Sequence, residues 1–483
     1  MSYETRLSED SAMKTPKPWP TEDIIAASGG TLTCGDENRS FAGISIDSRN
    51  IEDNELFIAI AGKAHDGHGY IKDVLDQGIQ GFLIENNKRE MLPLTEMMEG
   101  NVVCVAVENT TRALGDMASF HRGTSKASVV GITGSNGKTT TREMTAAVVM
   151  ERFQTLTSQK NYNNDIGLPL SLLRLDPTHE LAILELGMNH PGEIANLTRI
   201  CLPHIGVITN IGPVHLEGVG SMEGVMQAKG ELLENMTSNG TAVLNGDDQW
   251  LRRLANLTDR EVVFFGQTAD ALVRAESIRE TEQGISFSLR LPTETRTVRL
   301  GIPGRFMVSN ALAAATVGYL KGLSGEAIQT GLEKFQPVVG RMHIKKTPSG
   351  ITVINDAYNA NPASVKAAIE TLISLKGSQR GFLVLGDMLE LGPEAEAMHE
   401  EIGSISATSD TARLYVTGDF SNAVAAGAIA NGLAVDKIFI GTKDEICIDL
   451  SDRLEPDDWV LVKGSRGMTM ETVVHWLENW GTK

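Results

Sequence analysis

A chain of 483 residues with 41% apolar residues and a net charge of -19 is too long for one core and apolar enough for several, so two to four domains are expected. The acidic balance argues against a general nucleic-acid or membrane-surface binder; an anionic substrate must be met by local cations and metal instead. Four cysteines, Cys34, Cys104, Cys201 and Cys447, are scattered without paired spacing, which fits a reducing compartment and no zinc site. No apolar run is long enough to span a bilayer, and a cytoplasmic enzyme is expected.

In chain order, residues 1–20 are polar and hold Pro16, Pro18 and Pro20. They lack the apolar core of a signal peptide and read as a flexible tail. Residues 21–105 read as a small α/β unit, with strands over 44–49, 56–60 and 80–85 and a helix over 70–77. Asp47, Ser48 and Arg49 read as a turn with a local salt bridge. His65 and His68 read as solvated loop histidines.

A second unit is expected over 106–337. An apolar run over 127–132 reads as a buried parallel strand, and 144–150 as the body of a helix. Between them lies Gly131-Ile-Thr-Gly-Ser-Asn-Gly-Lys-Thr-Thr-Thr-Arg-Glu143. Strand, glycine-rich turn and helix are the parts of a phosphate cradle. Gly134 and Gly137 let the backbone bend. The freed N–H groups and the helix N-terminus then face an anion. Lys138 can reach terminal phosphates and the Thr139 hydroxyl can bind Mg²⁺. The strict pattern has glycine six positions before the lysine, where this chain has Ile132.

Downstream, Asn161, Asn163 and Asn164 cluster in a polar segment and can present donors and acceptors to a ligand, or simply form a loop. Glu185 ends an apolar run over 181–186. A charge there must be paired, metal-bound or on an edge. His215 falls just past the strand over 204–210. With Glu185 and Thr139 it suggests a shared cation site at the carboxyl ends of strands. Lys229 lies along an apolar helix stripe over 221–236, where a lysine either snorkels to water or joins the site. A β-rich excursion spans 262–300, followed by a helix from 304 to 319. Asn310 near its start reads as a cap or a base contact.

The third unit, 338–483, alternates strand and helix. Strands are expected at 352–355, 381–385, 413–416, 437–440 and 459–463, the spacing of βαβ crossovers in a parallel sheet. Polar clusters follow the strand ends in Asp356-Ala-Tyr-Asn-Ala-Asn-Pro362, Gly386-Asp-Met-Leu-Glu390 and Lys463-Gly-Ser-Arg466. The fold class is therefore α/β in three domains: a small N-terminal unit, a central P-loop ATPase-type parallel sheet and a C-terminal Rossmann-like unit.

These motifs together resemble the Mur ligases of bacterial cell-wall synthesis. The resemblance runs from about residue 21 to the end and rests on Ile46-Asp-Ser-Arg49, Asp66-Gly-His68, the cradle, Asn161-Tyr-Asn-Asn-Asp-Ile-Gly167, Glu185-Leu-Gly-Met-Asn-His-Pro-Gly-Glu193, Thr209-Asn-Ile-Gly-Pro-Val-His-Leu-Glu217, Ala228-Lys-Gly-Glu231, Gly340-Arg-Met342 and the third-unit clusters. Members that add the third amino acid usually carry Asp-Asn-Pro-Arg in their last domain. That string is absent here, so the resemblance is to dipeptide-adding members.

The resemblance implies a monomeric ATP- and Mg²⁺-dependent ligase with UDP-N-acetylmuramoyl-tripeptide and D-alanyl-D-alanine as substrates. It implies that Thr133, Gly134, Ser135, Asn136, Gly137, Lys138, Thr139 and Thr140 hold the ATP phosphates. Glu185, His215 and Lys229 would hold Mg²⁺, the lysine as a carbamate, and Asn310, Arg341 and Asp356 would contact the nucleotide. Asp47, Ser48 and Arg49 would contact the UDP-sugar. Rival readings are another ligase of the superfamily, tripeptide-forming or folylpolyglutamate synthase-like, and a P-loop regulatory protein that ligates nothing.

Overall fold

The computed structural model describes residues 14–62, 65–159, 161–281 and 283–481. Three sheets organise them. The first has six strands in the order Lys14–Pro20, Ser40–Ser45, Glu55–Ile58, Gly81–Glu85, Val103–Val107 and Thr31–Cys34. The expected tail over 1–20 needs correction here. Residues 1–13 lie outside the described residues, but Lys14–Pro20 pairs antiparallel with Ser40–Ser45. It is an outer strand, the one place in a sheet where residues without an N–H cost few ladder bonds. The strand Val103–Val107 completes this sheet, so the expected division at 105/106 falls inside it.

The central sheet has nine strands. Its parallel part runs Glu261–Gly266, Thr241–Asn245, Ile205–Ile208, Ser128–Thr133, Leu181–Glu185 and Thr155–Thr157. The strands Ile205–Ile208, Ser128–Thr133 and Leu181–Glu185 are short apolar runs buried nearly throughout, as a sheet covered on both faces demands. The strands Val273–Thr281, Gly284–Arg290 and Thr295–Leu300 extend it as an antiparallel meander, as the alternation over 262–300 anticipated. The third sheet runs His343–Lys346, Thr352–Asp356, Trp459–Lys463, Gly381–Gly386, Arg413–Thr417 and Ile438–Ile440. It is parallel except for its first strand, a short polar edge with no periodic apolar signal.

The central sheet is the hub. One apolar cluster joins it to the third sheet through residues such as Val130, Leu312, Ile354 and Leu383. Another joins it to the first sheet through Ala182, Leu197, Leu114 and Val105. The alanine-rich helix Phe306–Leu320 packs directly on the cradle helix Lys138–Val149. Small side chains permit that close approach, and it brings Asn310 against the cradle.

Candidate active site

The cradle sits where the sequence places it, at the carboxyl end of Ser128–Thr133 and the start of Lys138–Val149. Gly134 has φ 145° and Gly137 has φ 79°. A Cβ on the first would land on Thr209 Oγ1, and on the second on Asn310 Oδ1. Both glycines are therefore required by conformation and by space. The neighbouring strand end fixes the loop. Ser135 N–H donates to the Asn210 carbonyl at 2.9 Å, and Asn136 N–H to Asn210 Oδ1 at 2.9 Å. The Asn136 carbonyl accepts from Thr209 Oγ1 and Asn210 Nδ2 at 2.5 and 3.1 Å. The first turn of the following helix has no carbonyls behind it, so its N–H groups face the cleft. Thr133 is fully buried at the base of the loop. Ser135, Asn136, Gly137, Lys138, Thr139 and Thr140 line the cleft.

Lys138 folds over the loop, donating to the Gly134 and Ser135 carbonyls at 2.9 and 3.3 Å. Burial pushes its ammonium below the usual lysine range, Glu185 opposes that, and Arg341 adds to it. Glu185, 2% exposed, accepts from Thr139 Oγ1 at 2.9 Å and Asn163 Nδ2 at 2.9 Å. Its Oε2 lies 3.4 Å from the Arg142 guanidinium. Burial alone would push its carboxyl up; Arg142, Lys138 and Arg341 together outweigh burial and hold it below the ordinary value. Glu185 is therefore an ionised, buried anion beside the cradle, the paired alternative among those the sequence left open.

The residues expected to share a cation are placed as follows. His215 lines the same cleft, with φ 53°, and its Nδ1 lies 2.6 Å from Oε2 of Glu390 in the loop after the strand Gly381–Gly386. Among the described residues, no three His, Cys, Asp or Glu side chains converge as a metal cluster. Thr139 and Glu185 do meet. Their hydroxyl and carboxylate oxygens are the hard donors that Mg²⁺ takes, with water and substrate phosphates completing its shell, so this pair fits the ion. Lys229 neither snorkels nor lines the cleft. It is 1% exposed, has no hydrogen-bond or ion-pair partner among the described residues, and burial and then Lys138 drive its pKa far down.

Asn310 is not a cap. Arg305 holds the N-cap position of its helix, and Asn310 lies a turn inside, accepting from Thr141 Oγ1 at 3.2 Å. Asn164 Oδ1 accepts from Gly167 N–H at 2.8 Å and shapes the turn before the helix Gly167–Leu172. Asn161 is exposed at the cleft wall. Lys160 lies outside the described residues. Asp47, Ser48 and Arg49 stand apart from this cleft. Arg49 folds onto Asp47 with Nε–Oδ1 2.8 Å and Nη2–Oδ2 2.7 Å, the turn with a local ion pair. His68 is a correction as well. It is buried, bonded to Asp66 at 2.7 Å and accepting the Glu85 N–H at 2.9 Å, so it braces the loop; His65 is exposed.

The third sheet closes the far side of a cleft of about 1140 Å³. Asp356 pairs with Lys463 and accepts the Met342 N–H at 3.0 Å. The Arg341 guanidinium lies 4.3 Å from the Tyr358 ring centroid, with Arg466 at 5.6 Å. Sequence reading did not assign Arg142, Asn210, Asn361, Glu390 or Tyr358. Helical spacing could have found Arg142, which lies three positions past Thr139 and shares its face; the others depend on contacts between distant segments.

Residues 132–318 match the family described as Mur ligase middle domain, 340–466 that described as Mur ligase, glutamate ligase domain, and 40–122 that described as Mur ligase family, catalytic domain. A UDP-N-acetylmuramoyl-tripeptide–D-alanyl-D-alanine ligase of Escherichia coli is 34% identical over 441 residues, 91% of this chain and 94% of that one. The protein of the same name from Bacillus subtilis is 33% identical, covering 89% and 92%. A crystal structure of MurF from Acinetobacter baumannii superposes with TM-score 0.87 at 29% identity, over 96% of this chain and 100% of that one. MurF ligase from Thermotoga maritima in complex with ADP gives TM-score 0.79 at 27% identity, covering 90% and 97%. Folylpolyglutamate synthase of Mycobacterium tuberculosis, at 16% identity and TM-score 0.61, shares the fold. On this evidence the chain belongs to the Mur ligase family.

Proposed function

We propose that this chain is an ATP-dependent amide ligase that adds D-alanyl-D-alanine to UDP-N-acetylmuramoyl-tripeptide, giving the UDP-muramoyl-pentapeptide of peptidoglycan synthesis with ADP and phosphate. The observation that carries it is a phosphate cradle beside a buried ionised carboxylate, opening on a cleft whose other wall is a separate sheet. Relatives alike over nine-tenths of the chain bear that name.

A carboxylate is a poor acyl donor because oxide is a poor leaving group. Phosphoryl transfer from ATP gives an acyl phosphate, the dipeptide amine adds to its carbonyl, and phosphate leaves from the tetrahedral intermediate. Lys138 and the helix N-terminus oppose charge on the transferring group. Thr139, Glu185 and His215 would hold Mg²⁺, which would supply further charge neutralisation there. Lys229, buried and depressed toward the neutral amine, has the nucleophilic form that carbamate formation needs. Asn310, Arg341 and Asp356 face the nucleotide, Asn161, Asn163 and Asn164 the acyl substrate, and Asp47, Ser48 and Arg49 the UDP end. Closure of the third domain excludes the water that would hydrolyse an acyl phosphate. The domains are the expected 21–105, 106–337 and 338–483 units, with the first widened to 14–107 by its outer strands and the second beginning at 108. We place the protein in the cytoplasm as a monomer; no described helix is long and apolar enough to cross a membrane.

Phosphate release measured with ATP, Mg²⁺ and UDP-tripeptide, with and without D-alanyl-D-alanine, tests this. Release that requires both substrates supports it. Release with a free amino acid in place of the dipeptide would mark a tripeptide-forming or glutamate-adding ligase, and release indifferent to both a nucleotide switch.

A further inference from the structure

Asn136, in the middle of the cradle, and Asn361, in the third sheet's first crossover, exchange two hydrogen bonds. Asn361 Nδ2 donates to Asn136 Oδ1 at 2.6 Å, and Asn136 Nδ2 donates to Asn361 Oδ1 at 3.3 Å. Both amides line the cleft, and Asn361 is 6% exposed. Each is oriented from behind. Asn361 is the N-cap of the helix Pro362–Lys376, where Oδ1 accepts from Ser364 N–H at 3.0 Å and Ser364 Oγ accepts from Asn361 N–H at 3.0 Å. That capping box decides which way the amide points: the oxygen must face the helix, so the nitrogen must face Asn136. On the other side, Asn210 and Thr209 hold the backbone of Asn136, and among the described residues its side-chain amide bonds to Asn361.

We propose that Asn361 is a positioning residue, and that this amide pair lets the third domain hold the cradle in its phosphate-receiving shape. The inference rests on the nucleotide-binding part of the reading above. The loop residue it grips lies between Gly134 and Gly137, the two positions with the least intrinsic backbone preference. A loop with such freedom loses affinity by the fraction of time it spends in other shapes. The central sheet already holds the backbone of Ser135 and Asn136; the amide pair adds a restraint on the Asn136 side chain that exists only when the two domains are together. Nucleotide affinity and domain approach are thereby coupled.

The test measures binding of a non-hydrolysable ATP analogue by calorimetry, together with steady-state constants for each substrate, in the full-length protein. Asn361→Ser keeps a good N-cap but cannot reach Asn136; Asn136→Ala removes the pair from the loop side. Each is expected to weaken analogue binding and raise the ATP KM by about fivefold, and the double variant no more than either single one. KM for the UDP substrate and for D-alanyl-D-alanine is expected to stay put, and Tm to move by less than about 2 °C. Asn361→Asp, which still accepts from Asn136 Nδ2, is expected to be intermediate. Unchanged binding in the singles, or additive losses in the double, overturns the proposal. Should Asn361→Ser fail to fold, Asn136→Ala alone and with Asn361→Asp gives the same cycle. A wild type that binds the analogue but ligates nothing would sink the ligase reading and leave the binding cycle decisive for this one.

Discussion

Glu185 stays ionised although buried because three cations surround it, Arg142 foremost. Lys229, behind the cleft, has no such company and is a costly residue of the central domain. Its folded pKa lies far below the usual lysine value, so the unfolded chain binds the proton more tightly, and the penalty on folding is complete below the folded value. It fades as pH rises toward the ordinary lysine range. Lys229→Met is therefore expected to stabilise the protein by about 1–4 kcal/mol at neutral pH and to abolish ligation, with the gain shrinking in alkaline buffer. Melting curves across pH and a phosphate assay read both. Lys138→Ala is expected to abolish phosphate release while circular dichroism and Tm stay close to wild type, since the ammonium it removes is itself depressed by burial. Near-normal turnover in that variant would refute the assignment of the cradle.

The strand–loop–helix element works because its glycines admit neighbours that side chains would exclude. Gly134→Ala puts a methyl onto Thr209 Oγ1 at φ 145°. The strain and the displaced Thr209 are expected to destabilise by about 1–3 kcal/mol and to weaken ATP-analogue binding by more than tenfold, measured by denaturant melts and calorimetry. The helix Phe306–Leu320 is the second half of this element. It brings Asn310 to Gly137 from outside the local sequence, which is why a cap seemed the natural reading of Asn310 from the chain alone.

Across the whole molecule, the contacts that bridge the central and third domains at the cleft include the Asn136–Asn361 pair, His215–Glu390 and the Glu217 N–H donating to the Glu390 carbonyl at 3.4 Å. The second is a partly exposed side-chain hydrogen bond, and such a contact adds under about 1 kcal/mol to folding. Glu390→Ala is therefore expected to leave Tm nearly unchanged. Small-angle scattering of the unliganded variant is expected to show a larger radius of gyration than wild type, because the contact it removes lies at the rim of the domain junction. An identical scattering profile would show that His215–Glu390 plays no part in holding the cleft.

The α/β class, the alternation of the third unit and the cradle were readable along the chain, because each is carried by neighbours: period in the strands, glycines beside Lys138, apolar runs ending in Glu185. The motif set was specific enough to point to the Mur ligases. What the chain could not disclose was which polar ends would meet. Asn136 and Asn361 pair across a separation of 225 residues; His215 meets Glu390 across the cleft; Lys229, for which the chain left two placements open, is buried. The proline-bearing strand at 14–20 and the antiparallel edge at 343–346 were also invisible, since an edge strand is defined by its partner and not by its own pattern. Local order follows from torsional preference and hydrophobic period, both written in adjacent residues. A shared site depends on where three cores settle against one another, and that is decided only when the chain has closed.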